Sequence, residues 1–292
     1  VKQQDSLQRF VFENAPVRGE IVHLDATWQA VLERAEYPAP LRGLLGEMMA
    51  AAALLAATLK FSGTLIMQMH GTGPVKLVVV ECASDMSMRA TAKWEGAVDP
   101  GSLTDLLGDG RFVITLDPKV EGKQAYQGIV GIEGDSIATV LEHYMERSEQ
   151  LDTRLWLAAD DQQAGGMLLQ KLPDQPSGDA DAWNRATHLG TTITQQELLG
   201  LSAGEIIHRL FHEEDVRVFE SVPMSFRCTC SRERVTNMLR MLGHAEVQSI
   251  VEERGSVEVD CEFCNRHYAF DPVDAEQIFA ADVVTGASKT LH

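Results

Sequence analysis

Four of the five cysteines lie in two close pairs, Cys228-Thr229-Cys230 and Cys261-Glu262-Phe263-Cys264, with a domain-sized loop between them. Two short pairs set apart in this way are the layout of a tetrahedral zinc site, because each pair offers two thiolates from one turn of chain. The first pair has a single residue between its sulfurs, where zinc ribbons normally have two. The same four thiols can also close into two neighbouring disulfides. The spacing therefore predicts one zinc on Cys228, Cys230, Cys261 and Cys264 and leaves two uses for it. One is a structural site that never changes, and the other is a switch between metal-bound and disulfide states.

Three features favour the switch. Arg227, Arg232, Arg234 and Arg266 crowd the pairs in sequence, and nearby guanidinium groups keep sulfur ionised and nucleophilic. Each pair can form a local disulfide without a global rearrangement. Loss of zinc would also unfold a module too poor in apolar residues to hold itself together. A disulfide wants Cα atoms roughly 4.4–6.8 Å apart. Cys261 and Cys264, one turn apart, meet that condition easily, whereas Cys228 and Cys230 must bend to meet it.

Other chemistry is poorly supported. Cys82 ends the apolar run Val78 to Val80 and reads as a small buried hydrophobe. His208 and His212 are four apart on a helix, but Arg209 stands where a zinc protease needs its glutamate, so they read as a solvated face. Gly128, Gly131 and Gly134 do not match a dinucleotide fingerprint and are read as relieving crowding in a strand and turn. No P-loop, Ser-His-Asp order or carboxylate pair is visible, and a thioredoxin-like role for Cys261 and Cys264 lacks its βαβ setting.

The elements that must carry the thiols fall into three segments. Residues 1–173 read as a mixed α+β domain. Met86, Met88, Ala90, Ala92 and Trp94 alternate with polar residues, predicting a strand with one wet face. Further strands are predicted over Leu65–His70, Val75–Glu81, Arg111–Leu116, Tyr126–Ile132, Thr153–Ala158 and Met167–Leu172, with a turn at Gly71-Thr72-Gly73-Pro74. Ile137, Val140, Leu141, Tyr144, Met145 and Ser148 line one face of a helix. Strands in hairpins and helices in runs favour α+β over a doubly wound sheet. The composition changes at Pro173, and Asp174 to Asp181 marks a domain exit. Residues 174–226 then read as a conditionally folded helical linker. Its two short helices carry capping boxes, Thr194 with Glu197 and Ser202 with Glu205, and short helices of this kind must lean on another surface. Residues 227–292 form the small zinc module. Ser231 caps a helix that ends at Gly243, a second helix stops at Gly255, and Val257 and Val259 lead as a strand into the second cysteine pair.

Composition bounds the rest. A chain of 292 residues with 45% hydrophobic and 23% charged content is an ordinary globular protein. Its net charge of -18 opposes nonspecific nucleic-acid binding, which needs a positive surface. The most apolar stretch, Met48 to Leu59, lies between Glu47 and Lys60. It falls short of the roughly 20 residues a bilayer requires and reads as a buried core helix. The start, Val1-Lys2-Gln3-Gln4-Asp5, lacks the pattern of a signal peptide. Cysteines in metal spacing suit a reducing compartment, so a cytoplasmic location is expected.

Phe226-Arg227-Cys228-Thr229-Cys230-Ser231-Arg232-Glu233-Arg234 together with Cys261-Glu262-Phe263-Cys264 resembles the zinc centre of the thirty-three-kilodalton heat-shock protein family, the redox-regulated holdase chaperones. The likeness extends over essentially the whole chain, through Phe12-Glu13-Asn14, Val17-Arg18-Gly19-Glu20, the run from Tyr126 to Leu151, Gly165 to Gln170, and Arg209 to Glu214. One departure is Asn265, where the family is expected to have glycine; asparagine tolerates the same positive φ. The resemblance implies an inactive reduced form holding zinc on four thiolates, its linker folded over the N-terminal domain. Oxidants such as hypochlorite, or peroxide with heat, would form Cys228–Cys230 and Cys261–Cys264 disulfides and eject the metal. The oxidised form would dimerise, bind unfolding client proteins without ATP and pass them to other chaperones. The resemblance implies no enzyme activity, nucleic-acid binding or membrane association.

Two competing readings remain at this stage. A constitutive zinc ribbon could dock RNA or a protein, with Phe263, Tyr268 and Phe270 stacking on bases and the local arginines on phosphate. An oxidoreductase would need turnover of client disulfides.

Overall fold

The computed structural model of the chain describes residues 5–59, 62–118, 124–173, 179 and 181–286, with side chains as far as Ala280. It divides into two compact units, Val1–Arg227 and Cys228–His292. Most of the expected loop from Asp174 to Asp181 (174–178 and 180), Lys60 and the first four residues lie outside the described residues.

The larger unit begins with β1 (Ser6–Phe12), β2 (Val17–Leu24), α1 (Ala26–Leu32), α2 (Ala39–Thr58), β3 (Thr64–Gly71), β4 (Val75–Ala83) and β5 (Ser87–Trp94). It continues through α3 (Leu103–Leu107), β6 (Gly110–Asp117), β7 (Tyr126–Gly131), α4 (Ile137–Ser148), β8 (Thr153–Ala159) and β9 (Ala164–Lys171). Three short helices follow, α5 (Ala182–Gly190), α6 (Gln195–Gly200) and α7 (Ala203–Phe211), then β10 (Val216–Val218), β11 (Val222–Pro223) and β12 (Ser225–Phe226). One sheet has the order β10-β1-β2-β9-β8, with β11 also on β1; the second has the order β12-β5-β4-β3-β6-β7. The fold is α+β, as expected.

Helix α2 packs against β2, β8 and β9 of the first sheet and β3, β4 and β5 of the second. Its length and mean hydropathy of 1.3 would suit a membrane span, but 72% of that window is buried inside the unit. It is a core helix, apolar all round from Met48 to Ala56 because that stretch is covered all round, and it starts well before the apolar run that signals it.

The first sheet is covered on both faces. Leu7, Val22, Leu24, Leu155 and Leu168 join the main core with α2. Phe10, Phe12, Val17, Ile21, Ala158, Met167 and Leu169 point the other way, into a second core. Strand periodicity of two sorts these residues between the faces. β1, β2, α1 and α5 were not predicted from the sequence. Gly19 explains how the aromatic face closes: a Cβ there would lie 2.1 Å from the tip of the Phe10 ring, which crosses it from the paired strand.

The wet face expected for β5 is present in part: Lys93 and Glu95 are exposed and Arg89 is half-buried. Ser87 and Thr91 are a correction, at 6% and 5% exposed. Their hydroxyls are satisfied by the Asp85 carboxylate, which accepts from Ser87 at 2.6 Å, and by buried Tyr37, which bonds Thr91. Met86, counted into that strand, turns the corner before it at φ 61°.

The smaller unit contains α8 (Arg232–Leu242), α9 (His244–Arg254), β13 (Val257–Asp260), β14 (His267–Phe270) and α10 (Pro272–Gly286). Ser231 caps α8 by accepting from the Arg234 amide, and Gly243 and Gly255 stop α8 and α9. α10 was not predicted.

Candidate metal centre and the linker that precedes it

The strand pair β13–β14 is an antiparallel hairpin whose last register pair is Asp260 with His267. Its loop carries the second cysteine pair. The Cys264 and Asn265 amides both donate to the Cys261 carbonyl, at 3.2 and 2.7 Å, and the Cys261 amide donates to the Arg266 carbonyl at 3.0 Å. Asn265 takes φ 56°, the conformation for which asparagine is suited. The first pair arrives from the other side, just before the cap of α8.

The four sulfurs all lie within 4.8 Å of one another, and each cysteine is half-buried. Cys228 Sγ is 3.6 Å from Cys261 Sγ, and Cys230 Sγ is 3.3 Å from Cys264 Sγ. A tetrahedron with zinc–sulfur bonds of about 2.3 Å has edges of about 3.8 Å. The donor set therefore fits a zinc ion in number, element and spacing. His267, the histidine next to the site in sequence, bonds Asp260 at 2.8 Å instead.

Burial raises the Cys261 thiol above its ordinary range, with Cys228 adding to the effect and Cys264 opposing it. Burial also pushes Cys264 up to about 12, where all three neighbouring sulfurs add to it. Four thiolates packed this closely need a cation among them. The arginines expected to supply positive charge are arranged otherwise. Arg227 pairs with Asp85, Arg234 donates to Thr229 Oγ1, and Arg232 reaches the Ala269 carbonyl and Asp274 while lying 4.1 Å over the Phe270 ring. Arg266 does act on Cys230 and Cys264. Sequence proximity did not reveal which way each side chain points.

Tyr268, expected only as an aromatic that could stack on a base, has a role at the thiols that the sequence did not reveal: its hydroxyl donates to Cys230 Sγ at 3.1 Å. Its place in the alternation of β14 was the available signal. Tyr268 and Phe270 are 7% and 1% exposed, so neither offers a face for stacking a base.

The remaining candidates are settled by burial. Cys82 is fully buried, and burial pushes its thiol up to about 12. His208 and His212 are exposed. A Cβ on Gly128 would meet the Tyr144 ring at 3.0 Å, and one on Gly134, at φ 136°, would meet the Thr139 side chain at 2.7 Å. One on Gly131 meets nothing, so crowding accounts for the first and third glycines.

Helices α5–α7 cover the aromatic face of the first sheet. Ala186, Leu198, Leu199, Ile206, Ile207, Leu210 and Phe211 close the second core. Phe211 stands edge-on to Phe12 with ring centres 5.2 Å apart and lies 5.9 Å from Phe10. Both expected capping boxes are present, at Thr194 and Ser202. Buried His23 on β2 bonds the Leu198 carbonyl at 3.2 Å, and burial lowers its pKa.

The chain belongs to the Hsp33 family, whose model, described as Hsp33 protein, matches residues 5–271. Over 293 residues it is 56% identical to the 33 kDa chaperonin of Chromobacterium violaceum, covering 100% of this chain and 99% of that one. The 33 kDa chaperonin of Neisseria meningitidis serogroup A is 48% identical over 295 residues, covering 100% and 96%. The fold is similar to the crystal structure of the 33 kDa chaperonin (heat shock protein 33 homolog) of Thermotoga maritima. The TM-score is 0.82 at 20% identity, over 96% of this chain and 99% of that one.

Proposed function

We propose that this member of the Hsp33 family is a chaperone that holds unfolding proteins without ATP and is switched on by oxidation. The single observation that carries this reading is the meeting of four sulfurs in a unit whose own core is small. Bound there, zinc would supply the divalent charge that keeps all four sulfurs ionised and the cross-link that ties the hairpin to the start of α8.

In the reduced chain Cys228, Cys230, Cys261 and Cys264 serve as ligands. Each disulfide forms when two thiolates give two electrons to an oxidant such as hypochlorite, which becomes chloride, or peroxide, which becomes water. Pairing Cys228 with Cys230 and Cys261 with Cys264 consumes every ligand, so metal binding is lost. Cys261–Cys264 should close first, because its turn is already formed, and mass-spectrometric trapping of the first pair alone would reverse that order. The smaller unit then unfolds, and the linker loses an anchor at its C-terminal end. Residues 1–173 act as the client-binding and dimerisation domain, 174–226 as the conditionally folded linker and 227–292 as the redox switch. The oxidised protein works as a cytoplasmic homodimer that hands clients to other chaperones, with no catalytic turnover and no nucleic-acid or membrane partner.

The test is suppression of aggregation of a heat-denatured protein, measured before and after oxidation with zinc release followed in parallel. Activity should rise as zinc leaves. Equal activity in both forms would favour a constitutive zinc ribbon, a reading already weakened by the burial of Tyr268 and Phe270.

A further inference from the structure

The segment between the linker and the first cysteine is an extended strap that crosses from one sheet to the other. β11 pairs with the edge of β1, Val222 opposite Leu7 and Pro223 opposite Ser6. β12 then pairs in parallel with the edge of β5, Ser225 opposite Ser87 and Phe226 opposite Met88. Met224 alone separates the two pairings, so the strap passes from one edge to the other within about two residues, about 7 Å of backbone. Backbone bonds from the Met224 amide to the Asp5 carbonyl and from the Arg227 amide to the Met88 carbonyl, both 3.0 Å, fix the strap.

Its side chains alternate. Met224 is 5% exposed and sits in the main core, with Val222 and Phe226 packed half-buried against it. Pro223, Ser225 and Arg227 face outward. The Arg34 guanidinium lies 5.4 Å over the Phe226 ring, and the Asp85 carboxylate holds Arg227. Cys228 is the next residue.

The groove thus accepts an extended backbone, three apolar side chains at alternate positions, and a cation at the end. Nothing in that requirement is peculiar to residues 222–227. Exposed strand edges bind any extended segment that can complete the ladder, with pockets choosing alternate side chains. Unfolding polypeptides supply such segments.

We propose that the groove between the edges of β1 and β5 is a binding site for an extended, alternately apolar client segment that ends in a basic residue. Val222–Arg227 fills it in the zinc-bound protein as an internal stand-in. This rests on the switch proposed above, which frees the strap: once the smaller unit unfolds, the strap is held by four register pairs and no anchor follows Arg227. Weakly paired segments of this kind open first.

The probe is a fluorescent, end-capped peptide with the sequence of residues 220–227, added to the full-length protein. It should bind the oxidised, zinc-free form and not the zinc-bound form. Serine at the three apolar positions should weaken binding by at least about tenfold, and glutamate at the arginine position by a smaller factor. Saturating peptide should abolish aggregation suppression by the oxidised protein. The full-length double variant M224S/F226S, checked for zinc content and helicity, should admit the peptide while still zinc-bound. Equal binding of the apolar and serine peptides would overturn the proposal, as would client capture that persists at saturating peptide. A peptide that dissociates the oxidised dimer but leaves client capture intact would assign the groove to a second copy's strap instead. If no form suppresses aggregation, the function proposed above fails; peptide binding to the oxidised form would then reduce the groove to a seat for the strap alone, which also overturns the client assignment.

Discussion

In the larger unit every residue from Met48 to Leu54 of α2 is fully enclosed, with sheet against two sides of the helix. In the smaller unit α8 fully buries Leu239, while Met238, Met241 and Leu242 remain 44%, 83% and 50% exposed. The small core there consists of Leu239, Val247, Val257, Tyr268, Phe270, Ala275 and Ile278, with Cys230 and Cys261 packed at its margin. The first unit is held by burial. The second brings its elements together around sulfur and has little else to hold them, so its stability is open to chemical control. Between these extremes, α5–α7 share a core with the first sheet but contribute only one face of it.

The largest test of this contrast is Cys261→Ser. Structural zinc contributes on the order of 10–16 kcal/mol in small zinc-binding peptides, so losing one ligand should cost both the metal and the fold of the smaller unit. Elemental analysis should show less zinc, and hydrogen exchange should show α8, α9, β13 and β14 unprotected while α2 is unchanged. Retained protection without zinc would remove the contrast.

Phe211→Ala probes the intermediate region. It removes the ring that closes against Phe10 and Phe12 and should cost about 3–5 kcal/mol locally. Amides of residues 182–211 should exchange faster, with those of α2 unaffected; slowing or no change would mean the linker does not depend on that face. A further comparison is between zinc-bound and oxidised wild-type protein, where linker amides should lose protection.

Glu20 tests how firmly burial governs the larger unit. It is 3% exposed, its Oε2 has no hydrogen-bond partner, and burial raises its pKa from 4.5 to about 7 against the opposing charges of Arg18 and Arg9. Between those values the folded chain keeps a proton that the unfolded chain has released. Stability therefore falls as pH rises through that window and stays reduced above it. Glu20→Gln should add on the order of 1–3 kcal/mol at pH 8 and little at pH 4, read from urea unfolding at both. An equal effect at the two pH values would refute the assignment.

The smallest effects belong to the linker caps. Thr194→Ala and Ser202→Ala should each cost about 1 kcal/mol, seen as roughly fivefold faster exchange in α6 and α7. No change in either helix would show that packing alone sets their ends.

The parts legible in the sequence were those with a local signal. Cysteine spacing grouped the four sulfurs, Thr194 and Ser202 announced the linker helices, and Ser231 and Gly243 bounded α8. β1 and β2 were not legible because each sends core residues to both faces, and Arg9, Glu20 and His23 interrupt their apolar runs. The strap was hidden by its shortness and by Pro223, although Val222, Met224 and Phe226 do alternate. The arginine directions were illegible in principle: Asp85, which holds Arg227, lies far away along the chain, and only the fold brings them together.

The doubly covered first sheet also sets an order of events at the ribosome. Its strands β1, β2, β8 and β9 are complete at Lys171, but α7 ends at Phe211. Translation at about 5–20 residues per second needs on the order of 2–8 s to supply those roughly 40 residues. For that interval a nascent chain can assemble the sheet with Phe10, Phe12, Ile21 and Met167 bare. The uncovered condition is thus open to a newly made molecule before its linker exists, by order of synthesis alone and without any oxidant.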